Sequence, residues 1–117
     1  ASDTTGVGAA RGELAAASYG TDKAIFGYGR TPSGPTYYSL TNLVSNTGVV
    51  ASDTTGVGTA RSNLSASVYG GDKAIFGYGS GPSSLTNLVS NTGVVANDTT
   101  GVGTARQDLA AAGFSLT

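Results

Sequence analysis

Residues 23–29 read KAIFGYG, and residues 73–79 repeat the same seven letters. Isoleucine and the aromatic residues favour strands, and a turn signal, Gly-Thr-Asp at 20–22 or Gly-Gly-Asp at 70–72, directly precedes each stretch. Side chains alternate along a strand, so Ile25 and Phe26 point to opposite faces. A strand that is apolar on both faces is typical of the middle of a stacked sheet. The sequence therefore predicts a central strand at both stretches.

The identity of these two stretches is part of a longer internal repeat. Residues 1–29 and 51–79 are identical at 22 of 29 positions, and a third copy begins at Ala96. The block SLTNLVSNTGVV occurs at 39–50 and again, unchanged, at 84–95. Repeat periods of 20–50 residues are the signature of solenoids, propellers and arrays. We predict a single repeat domain over 1–117, with units at approximately 1–50 and 51–95 and a partial unit at 96–117.

Each unit contains four short strand candidates separated by turn residues. In the first unit they are residues 14–19, 23–28, 40–46 and 49–54. Turn signals every 8–12 residues indicate an all-β sandwich, barrel or propeller. Four strands in a unit of this length match one propeller blade. The predicted fold class is all-β, a propeller-like repeat of four-stranded antiparallel sheets with about two complete units per chain.

The composition excludes several classes of function. Gly, Ser and Thr supply 19, 14 and 16 residues, while charged residues are only 11%, against roughly 25% in an ordinary domain. The net charge of −1 does not suit a nucleic-acid surface, and no 18-residue apolar run predicts a transmembrane helix. His and Cys are absent, which removes Ser-His and Cys-His nucleophile pairs and zinc ligation through those residues. We expect no enzyme activity, catalytic residue, cofactor or metal.

A recurrent Asp–Arg pattern is the first candidate site. In every copy, an Asp precedes an Arg by eight residues. One interpretation is a ligand site repeated in each unit. The other is a structural Asp–Arg pair between neighbouring sheets, because Arg binds carboxylates in bidentate geometry. Recurrence in every unit favours the structural interpretation for Asp3, Arg11, Asp53, Arg61, Asp98 and Arg106.

A loop insertion provides the second candidate site. Residues 30–38 of the first unit correspond to only four residues, 80–83, in the second. A length change confined to a Gly/Pro/Ser stretch marks a surface loop. Within this loop, Tyr37 and Tyr38 present aromatic rings with polar tips, which suit interfaces and sugar stacking. The alternative is that both tyrosines extend a strand and pack locally.

The layout of each unit resembles the kelch repeat. The shared pattern is R-x-x-L, three small residues, and then Y-G-x-D-K-A-I-F-G-Y-G. The resemblance implies that the Arg precedes an innermost blade strand and that the next strand ends in a Gly-rich turn. The matching positions are Arg11 with Gly27 and Gly29, Arg61 with Gly77 and Gly79, and Arg106. The units are also similar to Gly/Thr-rich repeats of phage tail-fibre and structural proteins.

These features together predict a protein that associates with itself. Two units are too few for a closed propeller, which typically has 4–8 blades, and unpaired sheet edges attract further strands. We expect a homo-oligomeric ring or filament that forms part of a fibre or virion-type assembly, extracellular or virion-associated. The alternative is a lectin-like propeller, formed by homo-oligomerisation, that binds glycans. Neither nucleic acid nor membrane is an expected partner.

Overall fold

The structure is a computed structural model that describes residues 3–114, and it is all-β. No helix of membrane-spanning length and hydrophobicity occurs in that range. Three-residue turns at 20–22, 70–72 and 80–82 form three of the connections between strands, and the longer segments 28–40 and 45–64 form the other two. The strands are β1 (Ala15–Tyr19), β2 (Lys23–Gly27), β3 (Thr41–Val44), β4 (Ser65–Tyr69), β5 (Lys73–Gly79) and β6 (Ser83–Val89).

The strands form two equivalent antiparallel sheets. Sheet 1 has the order β1-β2-β3 and sheet 2 the order β4-β5-β6. Ile25 lies between Ala17 and Leu43 in sheet 1, and its counterpart Ile75 lies between Ser67 and Leu88 in sheet 2. The prediction that the KAIFGYG stretches are central strands is therefore confirmed.

Each sheet has three strands rather than the four expected, because the fourth candidate segment pairs only at isolated points. Residues 49–54 run antiparallel to β3, but only Val50 and Thr54 form bridges, to Val44 and Thr41. The register slips by one residue between these two bridges, which interrupts a regular ladder. The Asn42 side chain donates to the Ala51 carbonyl oxygen (3.2 Å) at this irregularity. The second unit repeats both bridges, at Val89 with Val95 and Thr86 with Thr99.

The hydrophobic core lies between the two sheets. The inner face of sheet 1 presents Ala15, Ala17, Ile25 and Leu43 to sheet 2, and β1 packs against β4 and β5. Small residues on β1 allow this close approach. The buried apolar residues are Tyr19, Ile25, Tyr28, Leu64, Ala74, Phe76, Val89 and Val95.

The Gly-Tyr-Gly sequence at the end of β2 (27–29) directs its tyrosine into this core. Tyr28 has a φ of 67°, and Tyr78 in the second unit has a φ of 66°. The left-handed conformation costs about 1–2 kcal/mol for a residue with a side chain. It breaks the strand alternation, so that Tyr28 and Gly27 both face Phe76. The two rings lie 5.1 Å apart at a tilt of 55°, and their burial offsets the backbone cost.

Candidate functional site

Arg61, the second of the recurrent arginines, lies in a hydrogen-bond network at the junction between units. Arg61 is only 1% exposed. Its Nε donates to the Tyr78 carbonyl oxygen (2.6 Å), Nη1 to the Thr59 carbonyl oxygen (3.0 Å) and Nη2 to Asn87 Oδ1 (2.7 Å). Burial lowers the pKa of Arg61. All three guanidinium nitrogens of Arg61 therefore donate to acceptors in different chain segments, and the side chain holds these segments together.

The recurrent aspartate joins the same network through an asparagine. Asn87 Nδ2 donates to Asp98 Oδ1 (2.9 Å). The Asp98 carboxylate also accepts bonds from the Thr59 amide (3.1 Å) and hydroxyl (2.6 Å). Partial burial raises the pKa of Asp98, but these hydrogen bonds lower it by more, so the net shift is downward. The arginine and aspartate thus share an Asn relay instead of a direct ion pair.

The first unit contains the same relay. Arg11 Nη2 donates to Asn42 Oδ1 (2.8 Å), and Asn42 Nδ2 donates to Asp53 Oδ1 (2.8 Å). The Asp53 carboxylate accepts the Ala9 amide (3.2 Å), as Asp98 accepts that of Thr59. In residues 3–114, the ion pairs are Lys23–Asp22, Arg30–Glu13 and Lys73–Asp72.

The remaining two members of the Asp–Arg pattern are exposed. Asp3 lies on the surface. Arg106 donates to the Thr104 carbonyl oxygen (2.9 Å). The Arg106 guanidinium lies 4.3 Å from the centroid of the Tyr78 ring.

A stacked arginine and tyrosine connect each unit to the next. Arg61 lies over the Tyr28 ring at 4.8 Å, as Arg106 lies over Tyr78. The Tyr28 hydroxyl donates to the Val57 carbonyl oxygen (2.9 Å), and the Tyr78 hydroxyl donates to that of Val102 at the same distance. Such cation–π contacts contribute about 0.5–2 kcal/mol, depending on how far they are desolvated.

Backbone hydrogen bonds repeat across the same two junctions. The Gly29 amide donates to the Arg61 carbonyl oxygen (2.9 Å), and the Gly79 amide donates to that of Arg106 (3.0 Å). The Asn63 amide donates to the Glu13 carbonyl oxygen (3.0 Å). One copy further on, the Asp108 amide donates to the Asn63 carbonyl oxygen (2.9 Å). The third copy therefore contacts unit 2 (residues 51–95) as unit 2 contacts unit 1 (residues 1–50).

The two tyrosines of the inserted loop have different environments. The loop is closed by a bridge between Arg30 and Tyr37. The Arg30 side chain makes a bidentate ion pair with Glu13 (2.7 and 3.0 Å), and this hydrogen bonding lowers the pKa of Glu13. Tyr37 is 43% exposed. Tyr38 is half-buried, and its carbonyl oxygen accepts the Arg61 amide (3.3 Å).

Asn42 and Asn87 were not predicted as site residues, although they link Arg11 to Asp53 and Arg61 to Asp98. Both are buried, at 4% and 0% exposure. Their signal in the sequence is an identical amide in the middle of the repeated SLTNLVSN block. An amide that lies between a threonine and a leucine at the same strand position in both units indicates a buried hydrogen-bond partner.

The described residues offer few groups for other chemistry. In residues 3–114, no buried side-chain nitrogen or oxygen lacks a hydrogen-bond partner. No cluster of three or more His, Cys, Asp or Glu side chains that could hold a metal ion occurs in this part of the chain. The chain matches no protein-family model and shows no significant similarity to a curated protein sequence.

Proposed function

We propose that this protein is a non-enzymatic repeat protein that assembles with itself as a structural component of a fibre or virion-type assembly. The observation that carries the proposal is the recurrence of one junction. Tyr28 with Arg61 and Tyr78 with Arg106 make the same stacking contact, at 4.8 and 4.3 Å. Because the same junction joins successive units of the chain, it could also join units of different chains.

The recurring junction is of the heterologous type. Each unit contributes a tyrosine to one neighbour and an arginine to the other, so its two contacting surfaces differ. Heterologous contacts generate rings when the rotation closes and filaments when it does not. A self-assembling element requires only this property and sufficient buried surface.

The finer architecture that we propose is propeller-like. The support is that β1 packs against β4 and β5, which brings the sheets together along their first strands. In a propeller, the first strands of the blades converge in this way around the axis. Residues 49–54 would complete a fourth, outer strand of each blade. The kelch-like order of Arg, small residues and a Gly-rich turn agrees with this arrangement.

A second candidate function is glycan binding through the inserted loop. The supporting observation is the 43% exposure of Tyr37 on a closed loop, next to the paired charges of Arg30 and Glu13. An exposed aromatic ring beside fixed hydrogen-bonding groups suits stacking against a sugar. The absence of this loop from unit 2 would confine the glycan site to unit 1.

Electron microscopy combined with sedimentation velocity tests the assembly proposal. We expect filaments or discrete rings and a sedimenting species larger than the 11.4 kDa chain at micromolar concentration. A single 11.4 kDa species would overturn the proposal. For the second candidate, a glycan array compares the wild-type chain with Tyr37→Ser. Binding that is equal in both proteins would place any glycan site elsewhere.

A further inference from the structure

The outer face of sheet 1 exposes residues that are buried at the equivalent positions of sheet 2. Phe26 is 40% exposed, whereas its counterpart Phe76 is fully buried against unit 1. Leu14 is 36% exposed, and its counterpart Leu64 is 7% exposed. Together with Val7, these side chains line an open groove of about 700 Å³. The internal repeat thus shows what covers such a face, namely the inner face of another unit.

The outer face of sheet 2 has the complementary shape. In the internal junction, Phe76 lies so close to Gly27 that a Cβ atom there would be 2.6 Å from the ring Cζ. At the counterpart, Gly77, the nearest atom to such a Cβ is Thr86 Cγ2, at 3.3 Å. A cavity of about 180 Å³ lies beside Gly77, and residues 109–111 of the third repeat copy form part of its lining. Leu88 is 41% exposed on this face, while its counterpart Leu43 packs against the core.

We infer that the outer face of sheet 1 binds the outer face of sheet 2 of a second copy of this chain, with Phe26 seated over Gly77. The inference rests on the proposed self-assembly and specifies its surfaces. The occupant is a second copy because, in the internal junction, the counterparts of these two residues, Phe76 and Gly27, are already in contact. The contact is head to tail, so the pair of copies retains one free surface of each kind, and further copies can be added at either end.

Arg11, the arginine of unit 1, is already in place for this contact between chains. Arg11 makes the same Nε and Nη1 bonds as Arg61, to the Tyr28 carbonyl oxygen (2.6 Å) and the Ala9 carbonyl oxygen (3.0 Å). The ring that stacks on Arg61 has no counterpart over Arg11 among residues 3–114. Docking would bring Tyr78 of the second copy to that position.

Tyr78 is already in contact with the third copy of the repeat, so docking requires an exchange. Residues 5–19 of the chain that supplies Phe26 replace residues 100–114 of the chain that supplies Gly77. Both segments carry the sequence TGVGxAR. The hydrogen bonds that Val102 and Arg106 accept from Tyr78 and Gly79 pass to their counterparts in the incoming segment. The exchange conserves these bonds and adds the burial of Phe26 and Leu14, which favours the associated form.

Sedimentation velocity on the 117-residue wild-type chain and three variants tests the inference. Phe26→Asp should weaken self-association by at least about 30-fold, because a carboxylate replaces a buried phenyl ring. Leu88→Asp should have a comparable effect from the opposite face. Val49→Ser is the matched control, since Val49 borders the groove but its counterpart Val94 stays 66% exposed inside the internal junction. Its dissociation constant should stay within about twofold of the wild-type value.

Mixing the two weakened variants gives the decisive result. Phe26→Asp retains an intact sheet 2 face and Leu88→Asp retains an intact groove, so an equimolar mixture should form a dimer that grows no further. Arg106→Ala should tighten the association of the wild-type chain by about two- to fivefold, because it weakens only the segment that is displaced.

The outcomes separate this inference from the proposed function. A wild-type chain that does not associate overturns the proposed function. A wild-type chain that associates while Phe26→Asp and Leu88→Asp leave it unchanged overturns the inference alone. Failure of the mixture to form a dimer, or weaker association of Arg106→Ala, also overturns the inference. Circular dichroism on each variant confirms that its sheets are intact.

Discussion

Two glycines at equivalent positions should respond in opposite directions to one added methyl group. An alanine Cβ at Gly27 would lie 2.6 and 3.0 Å from Phe76 ring atoms and 3.1 Å from Thr41 Cγ2. Phe76 and Thr41 are both buried, so neither side chain can move into solvent. Overpacking of this kind destabilises the folded state by about 1–3 kcal/mol. Replacing a glycine within a strand by alanine stabilises it by about 0.5–1 kcal/mol. Gly27→Ala should therefore lower the free energy of unfolding by about 0.5–2 kcal/mol.

Gly77→Ala provides the matched comparison. The nearest atom to the new methyl group is Thr86 Cγ2 at 3.3 Å, and no ring covers the position. Alanine should then be neutral or stabilising by up to about 1 kcal/mol. The two variants should differ by about 0.5–3 kcal/mol, which corresponds to roughly 2–12 °C in Tm for a domain of this size.

Thermal and urea unfolding, followed by circular dichroism at low protein concentration, would measure this difference. Low concentration keeps self-association from contributing to the stability. If both variants shifted Tm equally, Phe76 would not be packed over Gly27, and the orientation of the two sheets derived from that contact would be incorrect.

Three further changes test other parts of the structure. Arg61→Ala should lower the free energy of unfolding by about 3–5 kcal/mol because its buried acceptors lose their hydrogen-bond donor. Arg106→Ala should lower it by under about 1 kcal/mol because Arg106 is exposed. Equal losses for the two variants in urea titrations would contradict the network. Burial raises the pKa of Tyr28 from 10.0 to about 12. The buried neutral phenol therefore contributes about 2–3 kcal/mol to the free energy of unfolding. This contribution is complete below about pH 10 and is lost as the pH rises towards about 12. In thermal melts at about pH 9–12, Tyr28→Phe should lose less stability with rising pH than the wild-type chain does. An equal loss in both proteins would show that Tyr28 does not titrate with a raised pKa. Replacing residues 30–38 with SGPS should change stability by less than about 1 kcal/mol, and a failure to fold in the same melts would make the loop structural.

The strands were predictable because their signals are local. The KAIFGYG stretches combine β-favouring residues with flanking turns, and both form the central strand of a sheet. The number of strands per sheet was predicted less well. Residues 49–54 have the composition of a strand, but a one-residue slip in register restricts their pairing to bridges at Val50 and Thr54. Register between neighbouring segments depends on three-dimensional packing, which composition does not encode.

The candidate site shows the same division between local and distant information. The recurrence of Arg61 and Asp98 was visible in the sequence, and both belong to one network. The role of Asn87 was missed because it depends on a contact between segments 26 residues apart. The left-handed conformation of Tyr28 was equally hidden, since tyrosine has no intrinsic preference for it and the surrounding packing imposes it.

The Asn42–Asp53 hydrogen bond places the physical boundary between units beyond the boundary seen in the sequence. Asp53 belongs to the second sequence unit, yet its carboxylate holds the Asn42 side chain and the Ala9 amide of the first. A chain cleaved after residue 50 would leave both donors without their acceptor. Folding of one unit is thus completed by the first residues of the next, as in linear arrays whose stability depends on nearest-neighbour terms. Such coupling makes unfolding cooperative along the chain, and it means that a duplicated segment adds a stable unit only when it carries its successor's opening residues with it.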